Sequence, residues 1–139
     1  MNEIVDHLFV SDAKVARDPA QLATHAIGTI VNLASRLSPA GVTVVAVHFK
    51  DRVDHEPEAL GVLVRRAVAA IAAARSANQN VLVQCSAGVS RSPAIVVAYL
   101  VLARGMTLDD AVALVRQRHT RARPNAGVLA WLRRQQSTA

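Results

Sequence analysis

The chain has 139 residues, a formal net charge of +6, 52% hydrophobic residues and one cysteine. That length suits one domain, residues 1–139, and leaves no room for two ordinary ones; a lone cysteine excludes an internal disulfide framework and points to a reduced, cytoplasmic setting. Arginine supplies 14 of the 16 positive charges, which favours an anionic partner, yet the chain lacks the interleaved aromatics or recognition helix of a nucleic-acid reader, so none is expected.

The chain opens with Leu8-Phe9-Val10, a short apolar piece. Asp18-Pro19 starts a short helix, with Asp18 as its cap. Thr29-Ile30-Val31-Asn32-Leu33 reads as a buried strand and the β-branched residues 42–49 as a second, separated by a Ser38-Pro39-Ala40-Gly41 loop. Residues 51–56 form a charged loop. Residues 58–75 place Leu60, Val64, Ala67, Val68 and Ile71 on one helical face. Val81-Leu82-Val83 is a short central strand. Helices are expected over 93–104, ended by Gly105, from a capping box at Thr107-Leu108-Asp109-Asp110 to about His119, and over 125–136. Alternation of strands and helices argues for a single α/β domain with a short, mostly parallel sheet flanked by helices. The longest apolar run, 94–103, is far short of the roughly 20 residues a membrane span needs, and Glu3 and Asp6 stand where a secretory signal would be basic. Five scattered histidines and one cysteine show no metal-ligand spacing.

The chemistry concentrates between the central strand and the helix that starts near Pro93. There the sequence runs Gln84-Cys85-Ser86-Ala87-Gly88-Val89-Ser90-Arg91-Ser92-Pro93. A strand, a tight loop and an immediate helix aim backbone N–H groups and the positive end of a helix dipole at one spot, which is an anion site. Gly88 gives the loop backbone freedom. Ser86, Ala87, Val89 and Ser90 are small or neutral, so amides rather than side chains would line the ring. A thiol at its mouth should ionise readily, making Cys85 a nucleophile aimed at phosphorus. Arg91 offers a planar fork for two phosphate oxygens, and Ser92 a hydrogen bond that helps the sulfur leave.

In this loop and along nearly the whole chain the sequence resembles the dual-specificity-type cysteine-dependent protein phosphatases. Leu8-Phe9-Val10-Ser11 is similar to the opening strand of that family, residues 25–33 to the strand that follows, residues 84–93 to its signature loop, and Arg123-Pro124-Asn125 to a late Pro-Asn element. The resemblance implies that Cys85 forms a phosphocysteine intermediate and that Arg91 binds the phosphoryl group. It further implies that Ser92 assists thiolate departure and Asn125 braces the loop. It implies no cofactor or metal. The expected substrate is a phosphorylated protein or peptide carrying phosphotyrosine and also phosphoserine or phosphothreonine, with no membrane partner and a monomeric state. One departure stands out: Gln84 replaces the histidine usual before the nucleophile, so an altered thiol acidity is expected, without loss of activity.

Phosphoryl transfer to sulfur also needs a proton for the leaving oxygen. Asp51, after Val47-His48-Phe49-Lys50, fits the strand-end pattern of that acid; Asp54, 31 residues before Cys85, fits the commoner spacing. Asp51 is favoured because the strand end fixes it in space, and Asp54 stands as its rival. Alternatives to a protein phosphatase are a phosphoinositide or small-molecule phosphomonoesterase, disfavoured by the absence of basic residues between Cys85 and Arg91, and a non-catalytic phosphopeptide-binding module, disfavoured because both Cys85 and Arg91 are kept. Arg116, Arg118, Arg121 and Arg123 form a basic run read mainly as a solvated helix end. Surface positions are expected for His48 and His55.

Overall fold

The computed structural model describes residues 1–34 and 36–137. Its elements in chain order are β1 (Asn2–Val5), β2 (Leu8–Ser11), α1 (Ala13–Ala16), α2 (Pro19–Thr24), β3 (Ile27–Asn32), β4 (Thr43–Ala46), α3 (Pro57–Ser76), β5 (Asn80–Gln84), α4 (Arg91–Leu102), α5 (Leu108–Arg118) and α6 (Ala126–Ser137). The five strands form one sheet in the order β1-β2-β5-β3-β4. Only β1 runs antiparallel; β2, β5, β3 and β4 are parallel to one another.

Alternation along the strands builds two cores. Leu8, Val10, Val31, Val81 and Val83 face the larger one, shared with α3, α4, α5 and α6. Phe9, Ile30 and Leu82 point the other way, to a smaller cluster closed by Ala16 and Leu22. The helix α4 is buried at every residue from Ser92 to Val101. Its Ala- and Val-rich sequence suits that position, because small side chains let neighbouring elements approach from all sides. The only tryptophan, Trp131 of α6, is buried against Gly61 of α3.

The helix caps explain where the elements begin. Asp18 accepts from the Ala20 N–H at 3.0 Å and Thr107 from the Asp110 N–H at 3.2 Å. Glu56 accepts from Glu58 and Ala59, which starts α3 one residue before the expected position 58. Two elements escape the sequence reading. In β1 only Ile4 is buried, so it carries no alternating signal. A single turn, α1, rests on Asp12 accepting from the Val15 N–H at 2.8 Å. The second strand is shorter than residues 42–49: regular pairing ends at Ala46, although Val47 and Phe49 still donate to Asn32 and Leu33. The helix expected from Pro93 begins at Arg91, with proline in its first turn where its missing N–H costs nothing. Among the described residues no helix is long and apolar enough to cross a membrane.

Candidate active site

The loop between β5 and α4 sits at the C-terminal edge of the central strand, where parallel sheets present ligand sites. Every carbonyl from 86 to 90 is taken by a donor from elsewhere in the chain. Ser86 accepts from the Ala13 N–H at 3.2 Å, Val89 from the Arg123 N–H at 2.8 Å and Ser90 from the Asn125 N–H at 3.1 Å. The Gly88 carbonyl accepts from His119 Nε2 at 2.7 Å, and Ala87 from Arg121 Nη2 at 3.5 Å. In a trans peptide the C=O and the next N–H point opposite ways. Carbonyls pinned outward therefore turn the amides of 87–91 to the other side, where they converge.

Gly88 is required by this arrangement. Its φ is +70°, and a Cβ there would lie 2.7 Å from the Asp12 nitrogen and 2.9 Å from the Ser11 carbonyl carbon. Gly88→Ala is therefore expected to displace the loop from β2 and α1. The melting midpoint should drop by at least about 5 °C, the left-handed backbone alone costing roughly 1–2 kcal/mol. Calorimetry checks this; an unchanged midpoint would mean the loop adjusts freely.

The Cys85 side chain is buried, 2% exposed, at the start of this loop. Its Sγ accepts from the Ser92 N–H at 3.3 Å and lies 3.2 Å from Ser92 Oγ. Arg91 is half-buried: Nη1 donates to the Phe49 carbonyl at 2.8 Å and Nη2 reaches Ser86 Oγ at 3.4 Å. The guanidinium is thus held over the loop by the end of the chain segment that follows β4. Beside it a depression of about 370 Å³ opens between Ala34, His48, Phe49, Lys50 and Ser86.

Ser90 is the first residue before α4, yet its side chain does not cap the helix. Its Oγ donates instead to Asp51 Oδ1 at 2.7 Å. The same carboxylate oxygen accepts from Asn125 Nδ2 at 2.9 Å. Partial burial on its own would raise the Asp51 pKa; the hydrogen bonds from Ser90 and Asn125 and the nearby Arg91 charge outweigh it, so the carboxyl lies below its ordinary value. Asn125 also donates to the Arg52 carbonyl and caps α6 by accepting from Val128. Its side chain thus holds the acid loop, and its backbone N–H holds the signature loop. Asp54 points away, paired at 3.2 Å with Arg52 in an exposed position. His55 reaches the Lys50 carbonyl at 2.7 Å and packs edge-on to Phe49. His48 is exposed.

The Gln84 side chain is buried and donates through Nε2 to Asn32 Oδ1 on β3, while its Oε1 has no partner among the described residues. It faces β3, one residue from the thiol. Gln84→His should shift the pH dependence of turnover without abolishing it; superimposed pH–rate profiles would make the position silent.

Sequence reasoning missed His119. Its ring bridges the Gly88 carbonyl and Asn2 Nδ2, the latter at 2.6 Å, and so ties the loop to β1. The available signal was a lone histidine inside a basic run, where flanking arginines made a solvated helix end the natural reading. Among the described residues no cluster of three or more His, Cys, Asp or Glu side chains gathers to hold a metal.

A buried thiol at the start of a loop whose carbonyls are all held from elsewhere, with an arginine reaching back to Ser86 and a carboxylate bonded to Ser90, makes a candidate cysteine-based oxyanion site on a mostly parallel α/β sheet. The comparisons agree with that class. The family described as "Dual specificity phosphatase, catalytic domain" matches residues 8–138. Dual specificity protein phosphatase 1 of Arabidopsis thaliana is 34% identical over 125 residues, 90% of this chain and 63% of its own length. Dual specificity protein phosphatase 22 of Xenopus tropicalis is 33% identical over 141 residues, 91% of this chain and 60% of its own. The chain therefore spans somewhat under two thirds of these two relatives. The crystal structure of human DUSP28 superposes with a TM-score of 0.87 at 29% identity, covering 100% of both chains. The chain belongs to the dual specificity phosphatase catalytic-domain family of cysteine-dependent protein phosphatases.

Proposed function

We propose that this chain hydrolyses phosphotyrosine, and with it phosphoserine and phosphothreonine, in proteins through a phosphocysteine intermediate. The observation that carries the reading is the outward pinning of all five loop carbonyls above the Cys85 thiol. Amides 87–91 supply a preorganised cradle for the phosphoryl oxygens, and preorganised donors are the strongest electrostatic device a site can hold. Arg91 takes two of those oxygens with its fork, exchanging its present hold on Ser86 for the ligand.

In the first step the Cys85 sulfur, already deprotonated to the thiolate, attacks phosphorus. The S–P bond forms, the P–O ester bond breaks, and the leaving oxygen takes a proton from Asp51. Asp51, now a carboxylate, removes a proton from water; the water oxygen attacks phosphorus, the S–P bond breaks and inorganic phosphate leaves. Ser92, donating from N–H and Oγ, stabilises the sulfur as it departs. Nucleophile, phosphate clamp and proton donor are all protein groups. The open depression beside Arg91 supports a site shallow enough for phosphoserine and phosphothreonine as well as phosphotyrosine. The free thiol suits a reduced, cytoplasmic setting, and the enzyme acts as a monomer.

Phosphate release from matched phosphotyrosine, phosphoserine and phosphothreonine peptides, beside phosphoinositide vesicles, tests the proposal. Turnover of the phosphotyrosine peptide with measurable turnover of the other two is expected. Preferential hydrolysis of the lipid would move the assignment to phosphoinositides, in line with the alternative the loop composition disfavours. Tight peptide binding without turnover would make the chain a binding module.

A further inference from the structure

Arg75, Arg104 and Arg118 line one cavity of about 380 Å³, together with Glu3, Asp6 and Leu114. It opens beside the turn between β1 and β2, at the end of the sheet away from the signature loop. From that turn, where the His7 carbonyl receives the Val81 N–H, β5 carries the chain about 13 Å before it reaches Cys85. The cavity is therefore separate from the catalytic depression and shares no residue with it.

Among the described residues its arginines form no ion pair. Arg75 donates through Nη1 to Tyr99 Oη at 2.6 Å and through Nη2 to the Asp6 carbonyl at 2.8 Å, and its guanidinium stacks on the Tyr99 ring at 5.5 Å. These partners are all neutral, and its Nε is buried without an acceptor. The group is fixed in place while its charge is uncompensated. Among the described residues neither Arg104 nor Arg118 forms an ion pair. Glu3, on β1, spends one carboxylate oxygen on the His7 N–H at 3.0 Å. Three cations face two carboxylates that do not pair with them.

We propose that this cavity binds a phosphate group, free or carried by a small organic molecule, between Arg75, Arg104 and Arg118. Guanidinium forks match pairs of phosphate oxygens. Three forks present more donors than the two oxygens of a carboxylate can use, and a phosphate oxyanion supplies the ion-pair partner that none of the three has among the described residues. The volume of about 380 Å³, roughly a dozen waters at about 30 Å³ each, exceeds that of phosphate alone and leaves room for an organic substituent.

The test is a titration of the full chain with inorganic phosphate and, separately, with phenylphosphonate, followed by NMR of the arginine Nε–H groups. The catalytic loop reports through Arg91 and the cavity through Arg75. Saturable shifts at Arg75 are expected, distinct in midpoint from those at Arg91. Arg104→Ala with Arg118→Ala should weaken the Arg75 response at least tenfold and leave the Arg91 response and the melting midpoint in place, both side chains being exposed. A response to phosphate alone assigns the site to the free ion; a response to phenylphosphonate assigns it to an organic phosphate. An Arg75 signal unmoved by both probes where Arg91 is saturated, or unaltered by the double substitution, would overturn the proposal.

Discussion

Cys85→Ser is expected to lower phosphate release from p-nitrophenyl phosphate by a factor on the order of 10⁴ or more, with fold and phosphate affinity retained. The oxygen of serine is a far weaker nucleophile than a thiolate at neutral pH and needs a base to take its proton. Among the described residues no such base bonds to position 85: the groups within reach are the Ser92 N–H and hydroxyl. The amides of 87–91 and the guanidinium of Arg91 are untouched by the change, so oxyanions should still bind. Assays of wild type and Cys85→Ser side by side, with a chelator present, separate loss of the nucleophile from loss of a contaminating metal-dependent hydrolase. Activity that survives the substitution would mean that the thiol is not the nucleophile.

Asp51→Asn carries the second large effect, and its size depends on the leaving group. With phenyl phosphate, whose oxygen must be protonated as it leaves, turnover should fall about 10²–10⁴-fold. With p-nitrophenyl phosphate, whose leaving group is a stable phenolate, the loss should be much smaller. Asparagine keeps an oxygen to accept from Ser90, so the loop geometry should persist. Asp54→Asn should change either rate less than about twofold, as expected for an exposed carboxylate paired with Arg52 at the surface. The opposite outcome, in which Asp54→Asn alone shows the leaving-group dependence, would hand the role to Asp54.

The pH behaviour follows from the depressed pKa of Asp51. In the free enzyme at neutral pH its carboxyl is ionised, held so by Ser90, Asn125 and Arg91 against the effect of partial burial. A proton donor must be protonated when substrate is bound. A phosphate dianion entering the loop partly cancels the Arg91 charge and repels the carboxylate, which raises its pKa. The alkaline limb of kcat should therefore report Asp51 in the complex and disappear in Asp51→Asn. The stability contribution has the opposite pH sense. A carboxyl whose folded pKa is depressed stabilises the fold above its unfolded pKa, and that contribution fades as pH falls through the folded value.

How much of this was legible in the sequence varies by residue. Strand, loop and helix over 81–93 could be read because an apolar run, a glycine and a proline stand within thirteen residues, and local punctuation of that kind is what sequence displays best. Asp18 and Thr107 were equally readable as caps, since a cap acts within three residues. The start of α4 was not, because Ser90 gives its hydroxyl to Asp51 and so leaves the helix without a side-chain cap. The pair Asp51 and Asp54 was left open by spacing, since both lie on the same short loop. What separates them is contact with Ser90 and Asn125, 39 and 74 positions away from Asp51. His119 was hidden for the same reason, since its bonds join segments far apart in the chain; β1 was hidden because only Ile4 of its four residues is buried, so its local pairing with β2 carries no alternating pattern.

The five carbonyl clamps have a consequence for assembly. Their donors come from positions 13, 119, 121, 123 and 125, on both sides of the loop and as much as 73 residues from the carbonyl they hold. The strand–loop–helix segment can therefore exist as secondary structure before it can grip an oxyanion. The cradle closes only when the chain near Asp12 and the stretch leading into α6 have both docked. Closing such contacts late is the costly, slow part of folding for a chain of this topology. Competence to bind phosphate thus reports on the completeness of the whole domain, and no fragment ending before Arg123 carries the full set of clamps.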